Sequence, residues 1–340
     1  MFTLFLACAT HGPPKLTADT APMLPSPRGS TYGHVAVRPR DPLVAFVAQD
    51  LPVDEALSGA AAGVGLGMLS SEEMDVRAVR WKAILAGYPF PIVAMETETV
   101  PLDKPPVALL SKVTLGAHSD VGIVRVRGSE TDTWIVLVGE RRGELTPFPR
   151  EVEPGETVPL GEGAQWTSAD PDGVVRDVVL PFRPEQPGEW LLRAKIDGKT
   201  VATVPLYVGV DTPMNPPFSG ELRADTTIAE ALSQLARLRD RYGQIEATAD
   251  PSLSSVARAR LRTLLDGGTL PAAAEQLRAA GYLDMPVDGA ECSARSVAAC
   301  LDGLWWTPEH RAVLTGGYSG VGIASARGDG KLVIVLVAAG

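Results

Sequence analysis

Trp305-Trp306-Thr307-Pro308-Glu309-His310-Arg311-Ala312-Val313-Leu314, running on through Tyr318-Ser319-Gly320-Val321-Gly322-Ile323, organises the whole chain. Its Thr-Pro pair opens a helix, because proline's fixed φ suits the first helical position. That helix carries one of only four histidines in the chain, His310, beside Glu309. A glycine-punctuated, strand-like tail comes next, and Lys331 to Val337 reads as the last strand.

The stretch has an echo roughly two hundred residues earlier, the kind of ordered self-similarity that marks a repeated unit. Ala86-Gly87-Tyr88 matches Ala280-Gly281-Tyr282, each closing a helix. Ser119-Asp120-Val121-Gly122-Ile123 matches Ser319-Gly320-Val321-Gly322-Ile323, and Arg127-Gly128 matches Arg327-Gly328. Ile135-Val136-Leu137-Val138 matches Ile334-Val335-Leu336-Val337 with the turn one residue shorter, and Leu57 stands to Tyr88 much as Leu253 stands to Tyr282. In the earlier copy Leu110 occupies the place of His310, and His118, expected at a surface, that of Tyr318.

Around these matches, helices are expected over Val44–Ala48, from Asp54 onward and over Val76–Leu85, with Asp54 as an N-cap and Gly87-Tyr88-Pro89 as a stop. The glycines of Ala60–Met68 suit close helix packing; no strand precedes them, so they are not a nucleotide loop. Strands are expected at Ile92–Val100, Gly122–Arg127 and Thr133–Val138, the last two forming a hairpin. From 143 to 211 helical periods vanish, and short strands alternate with Asp172-Gly173 and Asp197-Gly198 turns, the pattern of a small β-sandwich. Pro187-Gly188-Glu189-Trp190 and the apolar alternation after it resemble an immunoglobulin-like strand, here read as part of a spacer module. Asp211–Pro217 is a proline-rich linker. Helices return at Ile228–Tyr242, from Asp250-Pro251 and over Pro271–Ala280. Of the paired tryptophans, one belongs in the core, and core packing is favoured over ligand contact for the other.

A chain of 340 residues with 45% hydrophobic content has room for two or three cores. A net charge of −10 with no basic run argues against a nucleic-acid binder, which needs a basic face. No run of about 18 apolar residues is present, so no helix is expected to span a bilayer. The beginning, Met1-Phe2-Thr3-Leu4-Phe5-Leu6-Ala7-Cys8, ends like a bacterial lipoprotein signal, with a small residue before a cysteine to be lipidated. The apolar run is short and no basic residue precedes it, which a start further upstream would explain. Residues 9–33, rich in Pro, Ser, Thr and Gly, read as a flexible tether. Cys292 and Cys300 flank a helical segment and stand about 12 Å apart if both are on one helix, too far to bridge. A disulfide therefore requires Cys292 in a loop before the helix; the alternative is a pair of buried thiols.

Leu238-Arg239-Asp240-Arg241-Tyr242-Gly243, Ala249-Asp250-Pro251-Ser252-Leu253 and the Thr307-Pro308-Glu309-His310-Arg311 … Val321-Gly322-Ile323 close resemble the CAP (SCP-like) superfamily over about 215–340. The resemblance implies an α-β-α sandwich and secretion. Family members often build a cleft from two histidines and two glutamates, which can hold a divalent metal. By resemblance, His310 falls on the later histidine and Glu291 on the glutamate of the family's "GEN", but 264–288 holds no earlier histidine. No metal or cofactor is therefore expected. Glu309 stands where a small residue is common.

The expectation is thus an α+β chain: segment 1–33, a degenerate CAP-like domain at 34–142, an all-β module at 143–211 and a CAP-like domain at 215–340. A duplicate that has lost its imidazole suits a binding or scaffold protein of the cell envelope, partnered by an envelope protein or small ligand and held to the membrane through Cys8 alone. The alternatives are a hydrolase-like centre of His310 and Glu291, with Glu309 as a further candidate, and lipid binding in the cleft.

Overall fold

A computed structural model of the protein describes residues 31–49, 51, 53–70, 74–218, 227–283, 285–328 and 331–340; Cys8 lies outside the described residues. The described chain is α+β and divides into two compact units, His34–Arg141 and Arg142–Gly340, residues 31–33 belonging to the second. Those three residues depart from the tether expected there. They begin with β1 (Thr31–Tyr32), which pairs antiparallel with Phe148–Pro149. Tyr32 is buried; its ring lies 5.3 Å from that of Phe148 and its hydroxyl donates to the Pro205 carbonyl at 2.8 Å. One aromatic anchor outweighs the surrounding polar composition.

The first unit contains β2 (Ala36–Val37), α1 (Pro42–Ala48), β3 (Val53–Asp54), α2 (Glu55–Leu69), α3 (Val76–Ala86), β4 (Ile92–Pro101), β5 (Ser119–Arg127) and β6 (Thr131–Glu140). Local chemistry sets the helix ends. Asp41, Asp54 and Asp75 each accept from backbone N–H groups of the first turn of α1, α2 and α3, and Gly87 closes α3 in the left-handed region at φ 90°. The sheet runs β4-β6-β5, antiparallel throughout. Alternate residues of β6 serve opposite faces: Trp134, Val136 and Val138 pack with Val44, Val47, Leu109 and Val113, while Ile135 turns toward α2. The small residues of α2 therefore let the helix approach the sheet closely, while α3 packs beside it. A methyl group on Gly65 would run into Val126 and Ile135, and one on Gly122 into the backbone of Leu57 and Ser58.

The second unit opens with β7 (Phe148–Pro149), β8 (Glu151–Val152), β9 (Gln165–Ala169), β10 (Val175–Asp177), β11 (Gly188–Ile196) and β12 (Lys199–Val208). Five of these form one sheet, β10-β9-β11-β12-β8, antiparallel except for β8 beside β12. The β1–β7 ribbon stacks on it through Phe148 and Trp166, ring centroids 5.5 Å apart. Phe182, bridged to Val158, likewise packs edge-on to Trp190. The linker expected at 211–217 is docked at Thr212, which is buried: its N–H donates to Glu151 Oε1 at 3.0 Å, and its hydroxyl accepts from Arg150 Nε at 3.2 Å.

Then come α4 (Thr227–Arg241), β13 (Thr248–Ala249), α5 (Pro251–Leu265), α6 (Ala273–Ala279), β14 (Val287–Ala294), α7 (Val297–Trp305), α8 (Pro308–Thr315), β15 (Gly320–Gly328) and β16 (Lys331–Ala339). The sheet order is β13-β15-β16-β14. Asp250 caps α5 with Pro251 at its first position, and Ser296 caps α7. Val335, Val337 and Ala324 pack under Leu253, Ala257 and Leu261 of α5. A methyl on Gly322 would meet the Leu253 and Ser254 backbone, as one on Gly122 meets Leu57 and Ser58.

Two details differ from the sequence reading. Gly122 pairs with Leu137 and Gly322 with Val337, so Val337 corresponds to Leu137 and the second turn is not shortened. Cys292 bonds to Cys300 with Cα atoms 5.4 Å apart, and Cys292 stands on strand β14 rather than in a loop. A strand passing under a helix satisfies the same spacing requirement that had pointed to a loop.

Candidate functional site

Helix α8 carries the residues on which the site depends. Pro308 starts it, Glu309 lies in its first turn, and Thr307, at the cap position, donates its hydroxyl to Gly303 O instead of capping. Beneath α8 runs β14, whose alternation sorts its acids. Glu291 pairs across the sheet with Val335, on the face covered by α5; Asp288 pairs with Ala338, on the opposite face. Glu291 is accordingly taken by Arg260 of α5, whose Nε donates to Oε1 at 3.2 Å. Arg260 is itself buried and donates to Gln276 Oε1 at 2.8 Å and Pro271 O at 2.9 Å.

The alternative centre of His310 and Glu291 is therefore not assembled, because the β14 face that carries Glu291 is the one covered by α5, and α8 packs on β14 from the other side. The acid whose charge reaches His310 is Asp288. Burial pushes the Asp288 carboxyl above its ordinary range, against the pull of the Gly289 N–H, which donates at 2.7 Å, and of His310. Tyr318 borders the same place; burial and the Asp288 charge push its phenol up to about 12. Its carbonyl accepts from buried Arg239 Nη1 at 2.7 Å. The sequence signal for Asp288 was its spacing: three residues before Glu291 on a strand means the opposite face, but only once the segment is known to be a strand.

Glu309 points away from this group. Its Oε2 accepts from Arg193 Nη1 of β11 at 2.7 Å, and Arg193 holds the carboxyl below its ordinary range. Arg311 is fully buried against the same strand, its Nη2 3.1 Å from Glu189 Oε1. Trp305 and Trp306 are both in the core, edge-on at 4.5 Å, and the Arg311 guanidinium lies 4.9 Å from the Trp305 ring centre.

A second polar group, read in the sequence only as the Asp54 cap, lies in the first unit. His34 Nδ1 is 2.8 Å from Asp54 Oδ2 and 3.4 Å from Asp120 Oδ2. Tyr88 donates to Asp120 Oδ2 at 3.0 Å and Arg141 Nε to Asp120 Oδ1 at 3.1 Å. The counterpart of Asp120 in the second unit is Gly320, so the group is not repeated there. His118 is exposed. Among the described residues, no group of three or more His, Cys, Asp or Glu side chains is gathered so as to hold a metal ion. No described helix is long and apolar enough to cross a membrane.

No protein-family model matches the chain. No curated protein matches it either. Among solved structures it is similar to an outer surface protein from Borrelia burgdorferi, at 12% identity, 35% of this chain, 96% of that chain and a TM-score of 0.31. It is also similar to a cysteine-rich secretory protein from Staphylococcus aureus, at 11% identity, 64% of this chain, 85% of that chain and a TM-score of 0.28. A third likeness is to an extracellular protein containing an SCP domain from Bacillus anthracis, at 14% identity, 71% of this chain, 77% of that chain and a TM-score of 0.26.

Proposed function

We propose that this chain is an exported envelope protein that binds a protein partner or small polar ligand and does not turn over a substrate. We read it as two CAP-like α-β-α sandwiches, at 34–142 and 215–340, descended from one ancestor, with an immunoglobulin-like module at 143–211 between them. The common ancestry is supported by the Asp-capped helix seated on a strand glycine in both units and by the shared β4-β6-β5 and β14-β16-β15 strand order. Export is supported by the Cys292–Cys300 disulfide, a bond that persists in oxidising compartments. Anchoring through Cys8 rests on the signal-like sequence before it.

The observation that carries the non-enzymatic reading is the commitment of both expected carboxylates to arginines, Glu291 to Arg260 and Glu309 to Arg193. A hydrolytic histidine needs an orienting acid and a nucleophile within hydrogen-bond reach. The charges of Asp288 and His310 act on each other, and that of Asp288 acts on Tyr318, groups suited to hydrogen-bonding a ligand.

Purified protein is expected to hydrolyse aryl esters and unstructured peptides no faster than buffer, and His310→Ala to behave identically. Turnover that vanishes in a folded His310→Ala variant would overturn the reading. In a bacterial host, radiolabelled palmitate should enter the full-length protein and be absent from Cys8→Ser; equal labelling of both would remove the anchor.

A further inference from the structure

We propose that the β-rich segment 143–211 acts as a clamp on helix α8, with Glu189 and Arg193 of β11 as the positioning residues that hold the helix, and with it His310, against β14. The inference concerns how His310 is held and stands whether or not that place binds a ligand.

The two elements meet as complementary charge pairs. Strand β11 presents Glu189 and Arg193, four residues apart and so on one face; α8 presents Glu309 and Arg311, the residues flanking His310. Arg193 Nη1 donates to Glu309, and Arg311 Nη2 donates to both the Glu189 carboxylate and the Glu189 carbonyl, the latter at 3.2 Å. The second pair is dry: Arg311 is 0% and Glu189 2% exposed. Tyr242, which lies just past α4, completes it, donating to Glu189 Oε2 at 2.6 Å while the Arg311 guanidinium lies 5.7 Å from its ring centre. Among the described residues, Arg311 Nε and Nη1 have no acceptor, and Glu189 is the anion that compensates this buried cation.

A third contact fixes the remaining freedom. The Asp172-Gly173 turn of the β-segment presses on α8 so closely that a methyl on Gly173 would overlap the backbone of Ala312, and Gly173 has φ +82°, a conformation that favours glycine. Contacts at 309, 311 and 312 leave α8 neither rotation nor sliding. Its other face bears His310 and the packed Val313 and Leu314 toward β14 and β16. The docked Thr212 ties the end of the β-segment to its own Arg150 and Glu151, so the clamp is held at its base as well. A spacer needs none of this.

Amide hydrogen exchange and NMR of the His310 ring in the full chain test the proposal. In Glu189→Gln, the amides of α8 should exchange at least tenfold faster, and the His310 ring resonances should move, while α5 amides keep their protection. Should Glu189→Gln fail to fold, the more exposed pair serves instead. Arg193→Glu should loosen α8 and shift His310, and the double change with Glu309→Arg should restore both. Unchanged α8 protection and unchanged His310 resonances in the folded variants would overturn the proposal, as would a loss at Arg193→Glu that the charge swap does not repair.

Discussion

Arg311 and Glu189 share a site closed to solvent, and that decides what each is worth. A buried pair gains little over two apolar residues, but removing one partner strands the other's charge. Glu189→Gln is therefore expected to cost about 3–5 kcal/mol, read as a lowered urea midpoint at constant slope. Asp288 and Glu309 bend stability with pH in opposite senses. Asp288 has a folded-state pKa raised above its ordinary 3.8 by burial. The folded chain thus holds its proton longer, and the contribution is full below that value and lost as pH rises through the folded value. Asp288→Asn should erase this fall and leave the protein more stable than wild type at neutral pH, measured by urea midpoints across the acidic range. Glu309, depressed by Arg193, stabilises above its unfolded pKa and loses that as pH falls through the folded one. Its carboxylate is half exposed, so solvent screens the effect.

Helices were legible because their ends are local. Asp41, Asp54, Asp75 and Asp250 each cap with an oxygen only a few residues from the N–H it satisfies, and Gly87 needs no partner to adopt positive φ. Strand β14 was missed for the converse reason. Val287-Asp288-Gly289-Ala290-Glu291-Cys292 has neither β-branched enrichment nor apolar alternation, and it is a strand because the edge of β16 accepts it. Register failed similarly at β16, since a run apolar on both faces carries no period-two mark to fix it. The seats of α2 and α5 give a sharper test. Gly122→Ala and Gly322→Ala each force a methyl inside 3.0 Å of helix backbone. Each should cost about 1–3 kcal/mol or more, since backbone cannot rotate aside as a side chain can. Thermal melts that show Gly322→Ala at wild-type stability would contradict the close seating of α5.

Each of the two units has its own core, one gathered around Trp134 and Val136, the other including Leu253 and Val335. Units with separate cores unfold separately. Calorimetry should therefore show two transitions, with the β-segment 143–211 melting together with α4–α8 because the Glu189–Arg311 contact ties them. Glu189→Gln should lower one transition and leave the other in place. A third transition, or one assignable to the β-segment alone, would show the clamp to be too weak to couple them.

Helix ends, the matched order of features in the two halves and the acidic balance of the chain could be read from the residues alone, because each arises from neighbouring residues or from totals. Which acid meets which base depended on the packing of α5 and α8 on the two faces of β14. Glu291 was matched to His310 by motif position, yet a strand sends residues three apart to opposite faces, so Glu291 found Arg260 and Asp288 took the face opposite α5. Charges pair by where folding carries them, and neither the spacing of Glu189 and Arg193 nor that of Glu309 and Arg311 contains the 3.1 Å that joins Glu189 to Arg311.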